Sequence, residues 1–477
     1  MRVKKTVYNS SPRLLRRVIG HVYSKMPIRM QYQIRYGKVF RNTYAFLQRS
    51  QYWSRERLEK YQLLQLRRLL YHAYENVPYY RSVFDERRLS PDGVKTLDDL
   101  RKLPCLTGEI IRDNLENLVA RNYSESELRF TTTGGSTGVP LGFYRDERVW
   151  AEKETAFITS MWHRVGYKLE DKRVVFRGYV VRSAEKGKFW EYDLLNNRVF
   201  FSSYHMTDKN LPRYIEEIRR IKPDFIHGYP SVIAILARFM KENSIEPFPS
   251  VKAVLCGSEN VYQPQRDLLE EVFKCRAFSW YGHTEQAVLA GECECSAYYH
   301  ISPQYGITEL IGKDGEVVTD EDEVGEVVAT GFINYAMPFI RYKTMDLGVH
   351  TNQRCECGRE YPLLKRVEGR LQDLIVTKDG RLISLTALIF GQHFHAFSRI
   401  KDMQIEQERK GEIMVRIVKV RRYSDKDEKE IFQKIQKITD NQLYVQFEYV
   451  DEIPRTKMGK RLFLIQKLPI EWTYTES

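Results

Sequence analysis

The sequence predicts an α/β fold, with a large domain built on parallel strands and a small α+β domain after it. Three observations predict it. Between about residues 170 and 285, short apolar runs alternate with stretches of helical period, the pattern of strand–helix units in a parallel sheet. Polar, glycine-bearing motifs stand just after the strand ends, where open parallel sheets take ligands. Beyond about residue 370 the pattern changes to hairpins around one amphipathic helix. The 477 residues allow two or three domains, and 42% hydrophobic with 13% aromatic residues marks a globular chain.

The elements follow in order. Residues 56–76 set Leu63, Leu66, Leu69, Leu70 and Ala73 at helical spacing and stop near Val77-Pro78. Ser90-Pro-Asp-Gly93 is a turn, and Leu103-Pro-Cys-Leu-Thr107 leads into another short helix. Strands are expected at residues 173–176, 224–227, 251–255 and 277–280, with helices at 211–221, 232–241 and 263–273. Pro212 suits a first helical turn, and Ser231 reads as the cap of the helix after Gly228-Tyr-Pro-Ser231. After residue 300 come short strands and turns: 306–311, Lys313-Asp-Gly315 and 325–330. The small domain offers a strand at 374–376, a turn at Lys378-Asp-Gly380 and a hairpin about Lys410-Gly411. A helix carrying Ile431, Phe432, Ile435 and Ile438 and a strand at 444–450 follow.

The most suggestive single stretch is Thr131-Thr-Thr-Gly-Gly-Ser-Thr-Gly-Val-Pro140. Gly134, Gly135 and Gly138 let the backbone approach a ligand closely. Successive N–H groups there can cradle an anion, with hydroxyl donors from Ser136 and Thr137. Such chemistry suits a polyphosphate, although the same composition also serves ordinary solvated loops.

Charge is unevenly placed. Residues 1–70 hold 17 Lys/Arg against Glu56 and Glu59, a net +15, so the rest of this +13 chain sums to −2. Tyr8, Tyr23, Tyr32, Tyr36, Phe40, Tyr44 and Trp53 are interleaved with the cations. A peripheral contact with anionic lipid or another acidic polymer is one reading. The other is a cationic cap whose long side chains cover apolar surface. No nucleic-acid-binding module accompanies the charge. No apolar run is long enough for a membrane span, and no signal-peptide pattern opens the chain. The seven cysteines do not form a secreted disulfide pattern, so a cytoplasmic setting is expected, with the inner membrane face as an alternative.

Six signals in order now identify a resemblance: the 131–140 loop, Gly257-Ser-Glu259, Tyr281-Gly-His-Thr-Glu285, Arg341-Tyr-Lys-Thr-Met-Asp346, Gly369-Arg-Leu-Gln-Asp373 and Pro454-Arg-Thr-Lys-Met-Gly-Lys460. Together they resemble the adenylate-forming (acyl-activating) ligases. Ala73-Tyr-Glu-Asn-Val-Pro-Tyr-Tyr-Arg81 and Leu97-Asp-Asp-Leu-Arg-Lys-Leu-Pro104 are similar to the phenylacetate–coenzyme A ligase-like branch. His227-Gly-Tyr-Pro-Ser231 and Arg461-Leu-Phe-Leu-Ile-Gln466 are similar to its capsule-polysaccharide-biosynthesis members. The resemblance covers residues 60–470. It implies a basic extension over 1–55, an adenylation domain over 56–369 and a mobile lid domain over 370–477.

The resemblance also implies roles. Thr132, Thr133, Gly134, Gly135, Ser136, Thr137 and Gly138 would hold the β- and γ-phosphates of ATP, Glu285 would hold Mg²⁺, and Thr284 would touch the α-phosphate. Tyr281 with Gly282 would meet adenine, and Gly257, Ser258 and Glu259 would line the base. Asp346 would accept from the ribose hydroxyls, with Arg366 and Arg370 among the nucleotide-binding residues. Lys460 is the foremost catalytic candidate, a mobile point charge able to bridge carboxylate and phosphate. The lid would turn about Gln372, where many relatives carry Asp or Lys. A second departure is Lys343-Thr-Met345, where relatives read Arg-Thr-Gly.

Cys105, Cys256 and Cys275 read as small buried hydrophobes. Cys293-Glu-Cys295 and Cys355-Glu-Cys-Gly358, with His300 nearby, suit tetrahedral Zn²⁺. The branch's zinc ligands map to Cys293, His300, Cys355 and Cys357, with Cys295 as the substitute for Cys293. The expected activity is ATP-dependent, AMP-forming activation of a small-molecule carboxylate, the acyl group passing to coenzyme A, a sugar or an amine. Adenylylation of an end product is the near alternative. A non-catalytic membrane-associated assembly factor is the alternative of another class.

Overall fold

The computed structural model describes residues 22, 26, 28–132, 141–177, 179, 181, 187–370, 374–380, 382–389, 399–419, 421–454 and 462–470. Its helices are α1 (Ile28–Arg35), α2 (Lys38–Ser50), α3 (Arg55–Asn76), α4 (Pro78–Glu86), α5 (Gly108–Asp113), α6 (Trp150–Trp162), α7 (Leu211–Ile221), α8 (Pro230–Glu242), α9 (Gln263–Phe273), α10 (Leu385–Leu388) and α11 (Asp425–Thr439). Strands β1 (Leu128–Thr132) and β2 (Gly142–Asp146) form a hairpin flanking the 131–140 stretch.

One twelve-stranded sheet organises the large domain. Its parallel run comprises β3 (Arg173–Phe176), β5 (Arg198–Phe201), β6 (Phe225–Gly228), β7 (Ala253–Cys256) and β8 (Arg276–Gly282). Strand β4 (Trp190–Asp193) closes one edge antiparallel to β5. Beyond β8 every pairing is antiparallel, through β9 (Leu289–Gly291), β10 (Tyr299–Ile301), β11 (Gly306–Ile311), β12 (Val324–Gly331), β13 (Tyr342–His350) and β14 (Leu363–Arg370). Strands β3, β6 and β7 are buried along their length and read as apolar runs because helices cover both faces. On one face α7, α8 and α9 pack Tyr214, Ile218, Leu236 and Leu269 onto Val174, Ile226 and Val254. On the other, Phe157, Met161 and Trp162 of α6 meet Phe225, Leu255 and Phe278.

A separate α+β domain follows. Strands β15 (Leu374–Val376) and β16 (Leu382–Ser384) pair with each other. A second sheet orders β19 (Tyr444–Tyr449), β18 (Glu412–Lys419), β17 (Ile400–Arg409) and β20 (Leu464–Gln466). Ile431 and Ile435 of α11 are fully buried against it. Phe432, expected on that apolar face, is instead exposed. It lies one residue, or about 100°, around the helix from Ile431.

One local expectation is corrected. Ser231 is not a cap: α8 begins at Pro230 with Tyr229 as the capping position, and Glu259 Oε2 accepts from the Ser231 N–H at 3.2 Å. Proline at the first helical position sets the start two residues earlier than a Ser231 cap would. The described part of the cationic stretch before residue 56 packs on the large domain, as the cap reading expects. Tyr36, Phe40, Leu47 and Ser50 are buried. Arg35 donates to Leu169 O at 2.8 Å and to Asn196 O, and the Phe40 N–H donates to Glu152 Oε2 at 3.1 Å. Among the described residues no helix is long and apolar enough to cross a membrane.

Candidate active site

The site candidates gather where the parallel run gives way to the antiparallel one. Strand β7 ends at Cys256, and Gly257 follows with its N–H donating to Gly228 O at 3.2 Å. A Cβ at position 257 would lie 2.4 Å from Trp280 Cζ2, so only glycine lets the turn close over the indole. Ser258 holds a left-handed φ of 67° and accepts from the Arg177 guanidinium. Strand β8 runs through Tyr281 and Gly282, so Tyr281 stands within the strand rather than after it. Its Oη donates to Asp346 Oδ2 at 2.7 Å, joining β8 to β13.

Asp346 is buried and sits opposite Arg370 in the β13–β14 ladder. The turn before it is tightly specified. Met345 has φ 62°, a left-handed backbone state that glycine adopts more readily than methionine. Thr344 Oγ1 donates to Val327 O at 2.8 Å and accepts from the Asp346 N–H at 3.1 Å. The Glu326 carboxylate accepts from the Met345 N–H. Glu326 is 2% exposed, and burial, reinforced by Asp346 and opposed by Lys343, pushes its carboxyl up to about 7.

Glu285 lies on the turn after β8. It is buried; Tyr342 Oη donates to its Oε1 at 2.9 Å, and His283 Nδ1 lies 3.1 Å from Oε2. Burial pushes this carboxyl up, but the imidazole of His283 beside it, with the Tyr342 hydroxyl, outweighs it and holds it at about 2. A permanently ionised oxygen donor beside the exposed Thr284 has the chemistry a hard divalent cation requires. Arg366 is exposed, opposite Val349, and its Nε donates to Glu368 Oε1 at 2.5 Å. Thr132 ends β1, exposed. Thr133, Gly134, Gly135, Ser136, Thr137, Gly138, the hinge candidate Gln372 and Lys460 lie outside the described residues, as does the Arg370 side chain.

A second cluster stands at the far end of β9. The ligand atoms of Cys293, His300, Cys355 and Cys357 all lie within 4.8 Å of one another. Cys293 Sγ is 3.4 Å from Cys355 Sγ, and Cys357 Sγ is 3.3 Å from His300 Nε2. A tetrahedral ion with bonds of about 2.0–2.3 Å spaces its ligands about 3.3–3.8 Å apart, which matches. His300 Nδ1 lies 3.1 Å from Tyr298 O, an arrangement that turns Nε2 toward the sulfurs. The Cys295 and Ser296 N–H groups donate to Cys293 Sγ at 3.2 and 3.3 Å, as they would to a thiolate. Cys295 itself is exposed and outside the cluster, which decides between the two thiols. Buried Glu292, paired with Arg266 and Arg276, fixes one ligand loop. Arg359 fixes the other, reaching Glu294 at 2.8 Å and Gln51 Oε1 at 3.0 Å.

Comparison with known proteins agrees with this geometry. Phenylacetate-coenzyme A ligase of Aromatoleum evansii is 30% identical over 337 residues, covering 69% of this chain and 74% of that protein. The chain belongs to the phenylacetate–coenzyme A ligase-like family of adenylate-forming enzymes. It is thus an AMP-forming ligase. The family model for the CapK C-terminal domain matches residues 375–467. Protein CapK of Staphylococcus aureus is 24% identical over 479 residues, spanning 97% of the ligase and 99% of its own length. In fold, the ligase is similar to 2-hydroxyisobutyryl-CoA ligase in complex with 2-HIB-AMP. The TM-score is 0.71 at 18% identity, with 88% of this chain and 91% of that one covered.

Sequence reasoning missed Tyr342, His283 and Glu326 as parts of the site. Tyr342 and His283 lay inside motifs already quoted, so their hydroxyl and imidazole were available signals. Glu326 had none, because only the β12–β13 pairing brings it beneath Met345.

Proposed function

We propose that this ligase activates a small carboxylic acid as its acyl-adenylate. The acyl group then passes to an acceptor, coenzyme A or a sugar or amine, in the synthesis of a cell-surface polysaccharide. The observation that carries the reading is the Tyr281–Asp346 bond beside the Glu285 turn. Tyr281 uses its Oη to hold Asp346 in place, which leaves a ring face for adenine. The remaining carboxylate oxygen can then accept from ribose hydroxyls, with Arg370 alongside. Gly257, Ser258 and Glu259 line the base. Thr284 and the loop of Thr132, Thr133, Gly134, Gly135, Ser136, Thr137 and Gly138 meet the phosphates. Mg²⁺, bound through Glu285, would supply charge neutralisation at the phosphates. Lys460 brings a second positive charge to the carboxylate and α-phosphate as the anion develops.

The domain boundary is placed near residue 370, with residues 370–477 as the lid. Zinc in the Cys293, His300, Cys355 and Cys357 cluster is assigned a structural role, since the four protein ligands leave no open position. The capsule role is supported by the full-length similarity to CapK. The cations before residue 28 are assigned to an anionic membrane surface. Deletion of residues 1–27 should weaken pelleting with anionic liposomes, and equal pelleting would remove that assignment.

The test of the function is pyrophosphate release from Mg·ATP across a carboxylate panel, with hydroxylamine trapping of the activated acyl group. Release that depends on an acid and is reduced at least about a hundredfold in Lys460→Ala is expected. Firm ATP binding without acid-dependent release would redirect the AMP to another product. Absence of both would favour the assembly-factor reading.

A further inference from the structure

Two buried polar atoms that make no hydrogen bond stand at the C-terminal end of β6 and just after it. His227, on β6, is 7% exposed, and its Nε2 makes no hydrogen bond. Its ring packs against two indoles, Trp162 at 5.0 Å and Trp280 at 5.6 Å between centroids. Ser231, in the first turn of α8, has a buried Oγ that also makes no hydrogen bond. Arg177 leaves β3 beside them. Its guanidinium lies 5.5 Å from the centre of the Tyr229 ring and donates to Ser258 Oγ, with no carboxylate in ion-pair range among the described residues.

These groups adjoin the nucleotide turn. Gly257 donates to Gly228, the residue after His227, and rests on Trp280, which in turn precedes Tyr281. An acyl group joined to the α-phosphate of a nucleotide held by Tyr281 and Gly257 therefore has this ground next to it. Leaving a buried donor or acceptor unsatisfied costs about 1–3 kcal/mol, and proteins rarely keep such groups without use. A hydrocarbon acyl chain would leave both in that state. A chain bearing hydroxyls would satisfy them. Burial, reinforced by Arg177, Arg173 and Arg198, keeps His227 uncharged, and a neutral imidazole can donate or accept to match a hydroxyl.

We propose that the acid this ligase activates carries hydroxyl groups on its acyl portion, a hydroxy acid or sugar acid, recognised by His227, Ser231 and Arg177. The proposal rests on the adenylation reading above and sharpens it from a carboxylate to a hydroxylated one. It sets the ligase apart from a site built for an aryl or alkyl acid.

Non-hydrolysable acyl-sulfamoyl adenosines test it by calorimetry on the full chain. Two shape-matched pairs serve: 2-hydroxyisobutyryl against pivaloyl, and hexuronoyl against cyclohexanecarbonyl. In at least one pair the hydroxylated member should bind about tenfold or more tighter, the worth of one satisfied hydrogen bond to a buried group. Ser231→Ala should shrink that preference several-fold and Ser231→Thr should restore it, while sulfamoyl adenosine without an acyl group binds all three proteins alike, reporting an intact fold. Equal or tighter binding of the hydrocarbon members in both pairs would overturn the proposal and leave the adenylation reading standing. A preference unchanged in Ser231→Ala would overturn the assignment to these residues. Failure of every adenosine probe to bind would overturn the adenylation reading and the proposal with it.

Discussion

Replacing Glu326 by glutamine should stabilise the large domain at alkaline pH and change little at acidic pH. Glu326 is 2% exposed and its carboxyl is raised from 4.5 to about 7. The unfolded chain ionises it near 4.5, whereas the folded chain keeps the proton until about 7. Between those values the folded state binds more protons, so stability falls as pH rises, and above about 7 the loss is complete. At about 1.4 kcal/mol per unit, full ionisation costs the fold about 3 kcal/mol. Glutamine carries no such charge, and its amide oxygen can still accept from the Met345 N–H. Urea unfolding of wild type and Glu326→Gln, followed by tryptophan fluorescence from pH 5 to 8.5, measures the difference. The two should coincide near pH 5 and diverge to about 2–3 kcal/mol by pH 8, with the glutamine form the more stable. A gap that stays constant across this range, or a less stable glutamine form at pH 8, would refute the account of Glu326 as a buried carboxyl that resists ionisation.

Chelator-washed wild type should retain about one zinc per chain, and Cys355→Ser should lose it and melt several degrees lower, because ligand-bond energy is folding energy at such a site; metal-free wild type of unchanged melting temperature would end the zinc assignment. Met345→Gly should raise stability by up to about 1 kcal/mol, since the left-handed backbone at 345 costs methionine more than glycine. A loss of stability in that variant would mean that the methionine side chain makes packing contacts worth more than the backbone relief.

The packed N-terminal helices change how the cationic segment is understood. Arg35 is buried and bonded to two carbonyls, and Tyr36 and Phe40 stack with ring centroids 4.0 Å apart. Here the long basic and aromatic side chains cover apolar surface, as a cap does. A deletion through residue 55 would strip core contacts from α6, so liposome experiments are meaningful only with the shorter truncation.

Much of this ligase is legible without coordinates because its signals are local. The apolar runs of β3, β6 and β7 and the periodicity of α7, α9 and α11 report burial that each segment experiences as a whole. Gly257, Tyr281, Glu285 and Asp346 stand in motifs whose residue types already limit their chemistry, and the cysteine and histidine spacing points to the cluster that the fold assembles. What only the tertiary structure decided depends on pairings that are distant in sequence. Cys293 and Cys295 are equivalent as text, and the fold alone turns one toward Cys355 and the other to solvent. Glu326 is an ordinary strand glutamate until the β12–β13 ladder places it under the turn that carries Asp346. His227 is part of a turn motif until two indoles and an arginine from three other elements surround its ring. Local sequence sets backbone preference and side-chain chemistry, whereas burial, partner and charge state come from neighbours that only the folded chain supplies.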